Sequence, residues 1–81
     1  MQPDEIINIL NGIFRDVLDN DNISLGPATT AQDIAEWDSL NHIQLVVAIE
    51  KKFKIKFPTL EIQNWKNVGE MCNSILNRIN K

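Results

Sequence analysis

Residues 37–53 read WDSLNHIQLVVAIEKKF, and this stretch predicts the fold. Its apolar residues recur at the spacing of a helix face. They are Leu40, Ile43, Leu45, Val46, Val47, Ala48, Ile49 and Phe53. Because Asp38 is a good N-cap, a helix is predicted from Ser39 to Lys52 or Phe53. The apolar stripe is wider than one core contact needs, so we expect part of it to be exposed or to line a cavity.

The segment before this helix predicts a first helix and a long connection. The helix runs from about Pro3 to Leu18, since Pro3 is tolerated in a first turn and Asp4 and Glu5 suit the positive end of the helix dipole. The connection covers about residues 19–38, and so long a loop usually has a function or short helical turns of its own. Its expected anchors to the core are Ile23, Leu25, Ile34 and Trp37.

Two further helices are predicted after the central one. Residues 54–58 should be extended, because Pro58 disfavours helix just before it. A short helix capped by Thr59 is expected to Asn64, and a last one runs from about Asn67 to Ile79, with Glu70 as the capping-box partner of Asn67. The expected inward residues are Leu60, Ile62, Trp65, Val68, Met71, Cys72, Ile75, Leu76 and Ile79. The sequence therefore predicts an all-α four-helix bundle with a long first loop and a short third helix, as one domain over residues 1–81.

The charge is uneven along the chain. Residues 1–40 hold eight acids and one base, residues 41–81 hold three acids and seven bases, and the net charge is −3. The one basic cluster, residues 51–56, has no aromatic platform beyond Phe53 and Phe57, so we interpret it as a solvated helix end and expect no nucleic-acid partner. The polar N-terminus and the absence of an apolar run of ~20 residues predict a cytoplasmic protein without a membrane span, and we expect a monomer.

The sequence argues against a calcium site, a reactive cysteine and a catalytic serine, because residues that each of them needs are missing. A calcium loop starting at Asp19 would need other residues where Ile23, Ser24 and Thr30 stand. Lone Cys72 is expected to be a buried, inert thiol. His42 as a base for Ser39 would still need an orienting acid and an oxyanion hole, so we expect His42 to be an exposed helix residue near a contact surface.

Ser39 is better suited to be an attachment point than a nucleophile. It would be the first residue of its helix, where backbone N–H groups are unpaired and where a phosphodiester would face the positive end of the dipole. The adjacent loop would give an incoming enzyme access to the hydroxyl.

At this point the chain resembles the acyl carrier protein family. The resemblance rests on Asp38-Ser39-Leu40, on the apolar pattern that follows to Phe53, and on the arrangement of nearly the whole chain. It implies a non-enzyme in which Ser39 carries 4′-phosphopantetheine, transferred from coenzyme A by a magnesium-dependent phosphopantetheinyl transferase that Asp38 helps to engage. The thiol of this arm, and not Cys72, would hold an acyl or aminoacyl group as a thioester for acyl-activating, acyltransferase or synthase enzymes.

The resemblance also implies two sets of surface and core residues. Those expected to contact partner enzymes are Leu40, Asn41, Ile43, Gln44, Val47 and Glu50. Those expected where the core can part around an acyl chain are Val46, Ile49, Phe53, Ile62, Trp65 and Cys72, and plain core packing explains each of these six equally well. The bulk of Trp65 and Phe53 favours a short or polar cargo.

The chain departs from the fatty-acid-synthesis pattern of that family. Glu36-Trp37 stands where Gly-Ala is usual, Asn41 and Gln44 stand where acids are usual, and the end of the helix is basic. Partner enzymes recognise this face largely by charge complementarity, so we predict a carrier of a specialised bacterial pathway. Two alternatives stay open: an unmodified helical adaptor that binds partner helices through the apolar face of the central helix, and a small hydrolase using Ser39 and His42.

Overall fold

The computed structural model describes residues 2–79 of the protein. Its α-helices are α1 (Pro3–Val17), α2 (Ser39–Phe53), α3 (Thr59–Gln63) and α4 (Val68–Ile79). One 3₁₀ turn, Ala31–Asp33, interrupts the long connection between α1 and α2. The predicted all-α fold, with its long first loop and short third helix, is confirmed. No helix in the described range is long and apolar enough to cross a membrane.

The core lies between α1, α2 and α4. Its fully buried side chains are Ile6, Leu10, Phe14, Leu45, Ile49, Val68, Met71 and Ile75. Each of these three helices contributes residues three or four positions apart, which places them on one face. The short α3 contributes no fully buried side chain and lies at the edge of the core, where Ile62 packs against it.

The long connection is fixed to the core by the four anchors that the sequence predicts. Ile23, Leu25, Ile34 and Trp37 are all at most 9% exposed. The connection also caps α4: the carbonyl of Thr29 accepts from the Val68 N–H at 2.9 Å, and the carbonyl of Pro27 accepts from the Gly69 N–H at 2.8 Å. These N–H groups belong to the first turn of a helix, where no intrahelical partner exists, so the loop and α4 complete each other.

Three expectations about helix ends and faces are wrong. Pro58, and not Thr59, is the N-cap of α3, and Leu60 is 73% exposed, because a helix of five residues can turn only one narrow face toward the core. Asn67 does cap α4, accepting from the Glu70 N–H at 2.9 Å. The Glu70 carboxylate, however, accepts from the Lys66 N–H at 3.1 Å and not from the Asn67 N–H, as a capping box would require.

Candidate cofactor attachment site

The start of α2 presents an exposed serine behind an acidic cap. Asp38 has an extended backbone, its Oδ1 accepts from the Asn41 N–H at 2.8 Å, and its carbonyl accepts from the His42 N–H at 2.8 Å. Ser39 is the first residue of the helix and is exposed. Its hydroxyl therefore stands in solvent at the positive end of the α2 dipole, which favours an attached anion.

Trp37 fixes the loop that leads into this serine. Trp37 is 8% exposed, and its indole meets the Phe14 ring edge-on, with the ring centroids 4.9 Å apart. Its Nε1–H donates to Nδ1 of His42 at 3.0 Å. The residue just before Asp38 is thus held both by the core and by α2, which sets the position at which Ser39 begins the helix.

His42 is half-buried, so the expectation of an exposed histidine is wrong. Its ring stacks on Trp37 and meets Trp65 edge-on, and it makes a hydrogen bond with the backbone of Ile62. Burial lowers the pKa of His42 below 6.5, and the bond to Ile62 offsets part of this shift. Because Nδ1 accepts the Trp37 N–H, the proton of the neutral ring lies on the other nitrogen, and neither nitrogen has a lone pair left for the Ser39 hydroxyl. This arrangement argues against a serine–histidine hydrolase.

An open, mainly apolar groove of about 740 Å³ begins beside Ser39 and runs between α2 and α3. It is lined by Ala31, Trp37, Asp38, Ser39, His42, Ile43, Val46, Val47, Thr59, Ile62, Gln63, Trp65 and Lys66. Trp65 is held in this wall by an Nε1–H bond of 2.7 Å to the Ser74 hydroxyl and by an edge-on contact with the Phe57 ring. The groove therefore combines apolar walls with a fixed aromatic side chain and an exposed hydroxyl.

The six residues predicted to surround an acyl chain fall into two groups. Val46, Ile62 and Trp65 line the groove. Ile49 and Cys72 lie in the core at 0% and 3% exposure, and Phe53 packs against that core while partly buried. The sequence did not identify Trp37, His42 or the α3 residues Thr59 and Gln63 as groove residues. The aromatic residue beside Asp38-Ser39 was a usable signal, whereas the α3 residues depend on how distant segments pack.

The six residues predicted to contact partners also differ in their surroundings. Leu40, Ile43 and Val47 are 67%, 63% and 44% exposed, and Gln44 is exposed as well. The other two make bonds within the chain. The amide of Asn41 donates to the Glu36 carbonyl at 2.8 Å. The Glu50 carboxylate accepts from the Phe57 N–H at 2.9 Å.

Cys72 is buried against α1. Its sulfur lies 3.8 Å from the Pro3 carbonyl oxygen, and burial raises the pKa of the thiol, with a smaller contribution from the negative charge of Asp4. Since the thiolate is the nucleophile, this cysteine is suited to packing and not to chemistry. Across residues 2–79, no group of three or more histidine, cysteine, aspartate or glutamate side chains is arranged to hold a metal ion.

Comparison with known proteins identifies the family of this chain. The model of a family described as the phosphopantetheine attachment site matches residues 8–75. An acyl carrier protein of Acidothermus cellulolyticus is 31% identical over 77 residues, which cover 95% of this chain and 92% of that protein. One from Thermosynechococcus vestitus is 27% identical over 79 residues, covering 98% of each chain.

A solved structure agrees with these relatives. The solution structure of a holo acyl carrier protein from Geobacter metallireducens is 42% identical, with a TM-score of 0.86 over 91% of this chain and 85% of that one. The chain is therefore a phosphopantetheine-attachment domain. It belongs to the acyl carrier protein family. Its function is that of an acyl carrier with a covalent 4′-phosphopantetheine cofactor. These similarities favour the carrier over the alternative of an unmodified helical adaptor.

Proposed function

We propose that Ser39 is the residue to which 4′-phosphopantetheine is attached. The observation that carries this proposal is the exposed Ser39 hydroxyl at the start of α2, at the edge of the groove. The other two serines are less suitable. Ser24 is exposed in the connection but begins no helix, and the Ser74 hydroxyl is half-buried and bonded to Trp65.

The residues around Ser39 fit this cofactor. A phosphodiester on the hydroxyl would lie at the positive end of α2, where the helix dipole and unpaired N–H groups stabilise a negative charge. The apolar walls beside it, including Ile43 and Val46, would cover an apolar part of the arm or its cargo. When bound, the arm supplies a terminal thiol that holds an acyl group as a thioester.

We further propose that this chain orients the arm and leaves the chemistry to its partner enzymes. Asp38 turns one carboxylate oxygen toward the Asn41 N–H, and its exposed side chain remains accessible to a phosphopantetheinyl transferase. The exposed residues of α2 would then contact the enzymes that load and use the cargo.

The pathway and the cargo are proposed from the residues near Ser39. Those that depart from the usual family pattern, Glu36, Trp37, Asn41 and Gln44, support a specialised cytoplasmic pathway. The fixed bulk of Trp65 supports a short or polar cargo.

The attachment is tested by intact-mass measurement. The purified chain is incubated with coenzyme A, Mg²⁺ and a broad-specificity transferase, and we expect a gain equal to one 4′-phosphopantetheine group. The Ser39→Ala variant should show no gain, and the matched Ser24→Ala variant should behave like the wild type. A gain of the same mass in Ser39→Ala would show that the arm is attached elsewhere.

A further inference from the structure

The His42 ring joins the segments that line the groove beside Ser39. On the side of the long connection, its Nδ1 accepts from the Trp37 Nε1–H at 3.0 Å, and the two rings stack with their centroids 6.0 Å apart. On the side of α3, the ring bonds to the backbone of Ile62 and meets Trp65 edge-on. One side chain of α2 therefore holds both the segment that leads into Ser39 and the short helix on the other side of the groove.

This pair of hydrogen bonds requires the neutral ring. A neutral imidazole accepts at one nitrogen and donates at the other, whereas the cation donates at both. Protonation of Nδ1 would place two N–H groups opposite each other across 3.0 Å, so the bond to Trp37 would be lost. The bond to Ile62 favours the charged ring and therefore persists. Uptake of one proton thus breaks the bond to the connection and keeps the bond to α3.

Loss of the bond to His42 would move the residue that stands two positions before Ser39. Trp37 is 8% exposed, so its Nε1–H would be left without an acceptor in a buried site, which costs free energy. Because Trp37 also lines the open groove, its indole can turn toward the groove and reach water. Trp37 directly precedes Asp38, the N-cap of α2. A shift of the indole therefore displaces the cap at which the helix, and with it Ser39, begins.

His42 is the group in this region whose charge changes near neutral pH. Histidine is the side chain whose charge normally changes between about pH 5 and pH 8, and the chain has one histidine. Burial lowers the pKa of His42 below 6.5. The ring is therefore neutral at neutral pH and takes up its proton as the solution is acidified.

The charged side chains of the elements around this ring are paired or of opposite sign. Asp38 at the cap of α2 and Lys66 after α3 line the groove, and their opposite charges have opposite effects on the ring. Glu61 of α3 accepts from Arg78 of α4 at 2.8 Å. The Glu36 carboxylate accepts at 3.0 Å from a side chain of the connection. The proton on the ring itself is therefore the change that controls the two bonds.

We propose that His42 is a positioning residue for the attachment reaction: its neutral ring holds Trp37 and thereby fixes Ser39, and protonation of the ring ends this hold. Acidification then slows pantetheinylation through the carrier itself, in addition to any effect on the transferase. The consequence for the reaction rests on the proposed attachment at Ser39, whereas the loss of the bond does not. His42 acts through Trp37 and does not touch the reacting hydroxyl.

The two indole N–H groups of the chain test the bond within one molecule. That of Trp37 is bonded to His42, and that of Trp65 is bonded to the Ser74 hydroxyl at 2.7 Å. Hydrogen exchange of both is measured by NMR on the unmodified ¹⁵N-labelled chain between about pH 8 and pH 5. The ratio of the two rates cancels the effect of pH on intrinsic exchange. As His42 takes up its proton, the Trp37 indole should exchange about tenfold faster relative to that of Trp65.

His42→Gln is the matched variant, because glutamine both accepts and donates without changing its charge. Its exchange ratio should not depend on pH. The kcat/KM for pantetheinylation of the wild type, divided by that of His42→Gln, should fall about fivefold over the same acidification, since misplacement of a reacting group slows a reaction. This division cancels the pH dependence of the transferase. Trp37→Phe, which lacks the donor, should remove the pH dependence that the wild type shows relative to His42→Gln. Far-UV circular dichroism identifies the pH range in which all three proteins stay folded.

The outcomes separate the positioning role from the attachment. An exchange ratio that does not change as the His42 ring titrates would overturn the role of the bond. A changing ratio with constant relative kcat/KM would show that the bond responds to the proton but does not position Ser39, and would also overturn the proposal. Absence of any mass gain at every pH would instead overturn the attachment at Ser39, and the exchange result would be unaffected.

Discussion

Replacing Trp37 by phenylalanine tests how the long connection is fixed to the start of α2. Phenylalanine can keep the edge-on contact with Phe14 but loses the Nε1–H that donates to His42 at 3.0 Å. A hydrogen bond of this kind contributes about 1 kcal/mol net. The smaller ring leaves roughly 40 Å³ in a site that is 8% exposed, which costs about 1 kcal/mol more.

We therefore expect Trp37→Phe to lower the free energy of unfolding by about 2 kcal/mol. A chain of this size is stable by about 4–12 kcal/mol, so the variant should still fold, with Tm lowered by about 10 °C. Urea unfolding followed by far-UV circular dichroism measures the change without depending on tryptophan fluorescence.

A double-mutant cycle with His42→Ala measures the interaction between the two rings, which includes the hydrogen bond. Trp37→Phe should be less harmful in the His42→Ala background, with a coupling of about 1 kcal/mol. If the two changes are additive within about 0.3 kcal/mol, the bond between these rings does not stabilise the start of α2, and the reasoning is refuted.

Three further perturbations test other parts of the structure. Since burial lowers the pKa of His42 below 6.5 in the folded state, the protein should lose stability as pH falls through about 6.5 and below. Urea unfolding at several pH values should show a smaller loss for His42→Asn than for the wild type. Equal losses in the two proteins would contradict the lowered pKa. Gly69→Ala should lower the free energy of unfolding by about 1 kcal/mol or more, because the new Cβ would lie 2.9 Å from the Pro27 oxygen. Gly12→Ala, where nothing lies within 4 Å of the new Cβ, should raise it by up to about 1 kcal/mol. If thermal unfolding shows that both variants gain stability, the loop at Pro27 moves away easily. Iodoacetamide at mildly alkaline pH should leave Cys72 of the native unmodified chain intact and label it after unfolding, and mass spectrometry showing rapid native labelling would contradict its burial.

Local sequence signals predicted the long helices well. The observed bounds of α1 and α2 lie within one residue of those expected, because periodicity and capping are properties of neighbouring residues. The short α3 was harder, since five residues show too little periodicity to identify an inward face. Leu60 therefore looked like a core residue, although it is exposed.

The candidate site was only partly predictable for a related reason. The position of Ser39 at the start of α2 follows from local residues. The burial of His42 does not, because it depends on Trp65 and the Ile62 backbone, which lie about twenty residues further along the chain. The inward bond from Glu50 to Phe57 is equally invisible in the sequence. The attachment at Ser39 and the partner contacts stay predictions until they are measured.

The two apolar faces of α2 have a consequence for how such carriers diverge. Replacing a buried residue such as Leu45 with alanine would cost about 2–5 kcal/mol, which a domain of this size can hardly absorb. Replacing Ile43 or a surface lysine changes stability by only about 0.5 kcal/mol, because these side chains are exposed. Mutation can therefore alter the choice of partner in single, nearly neutral steps. A duplicated gene for such a chain could separate from its parent's enzymes without passing through an unstable intermediate sequence.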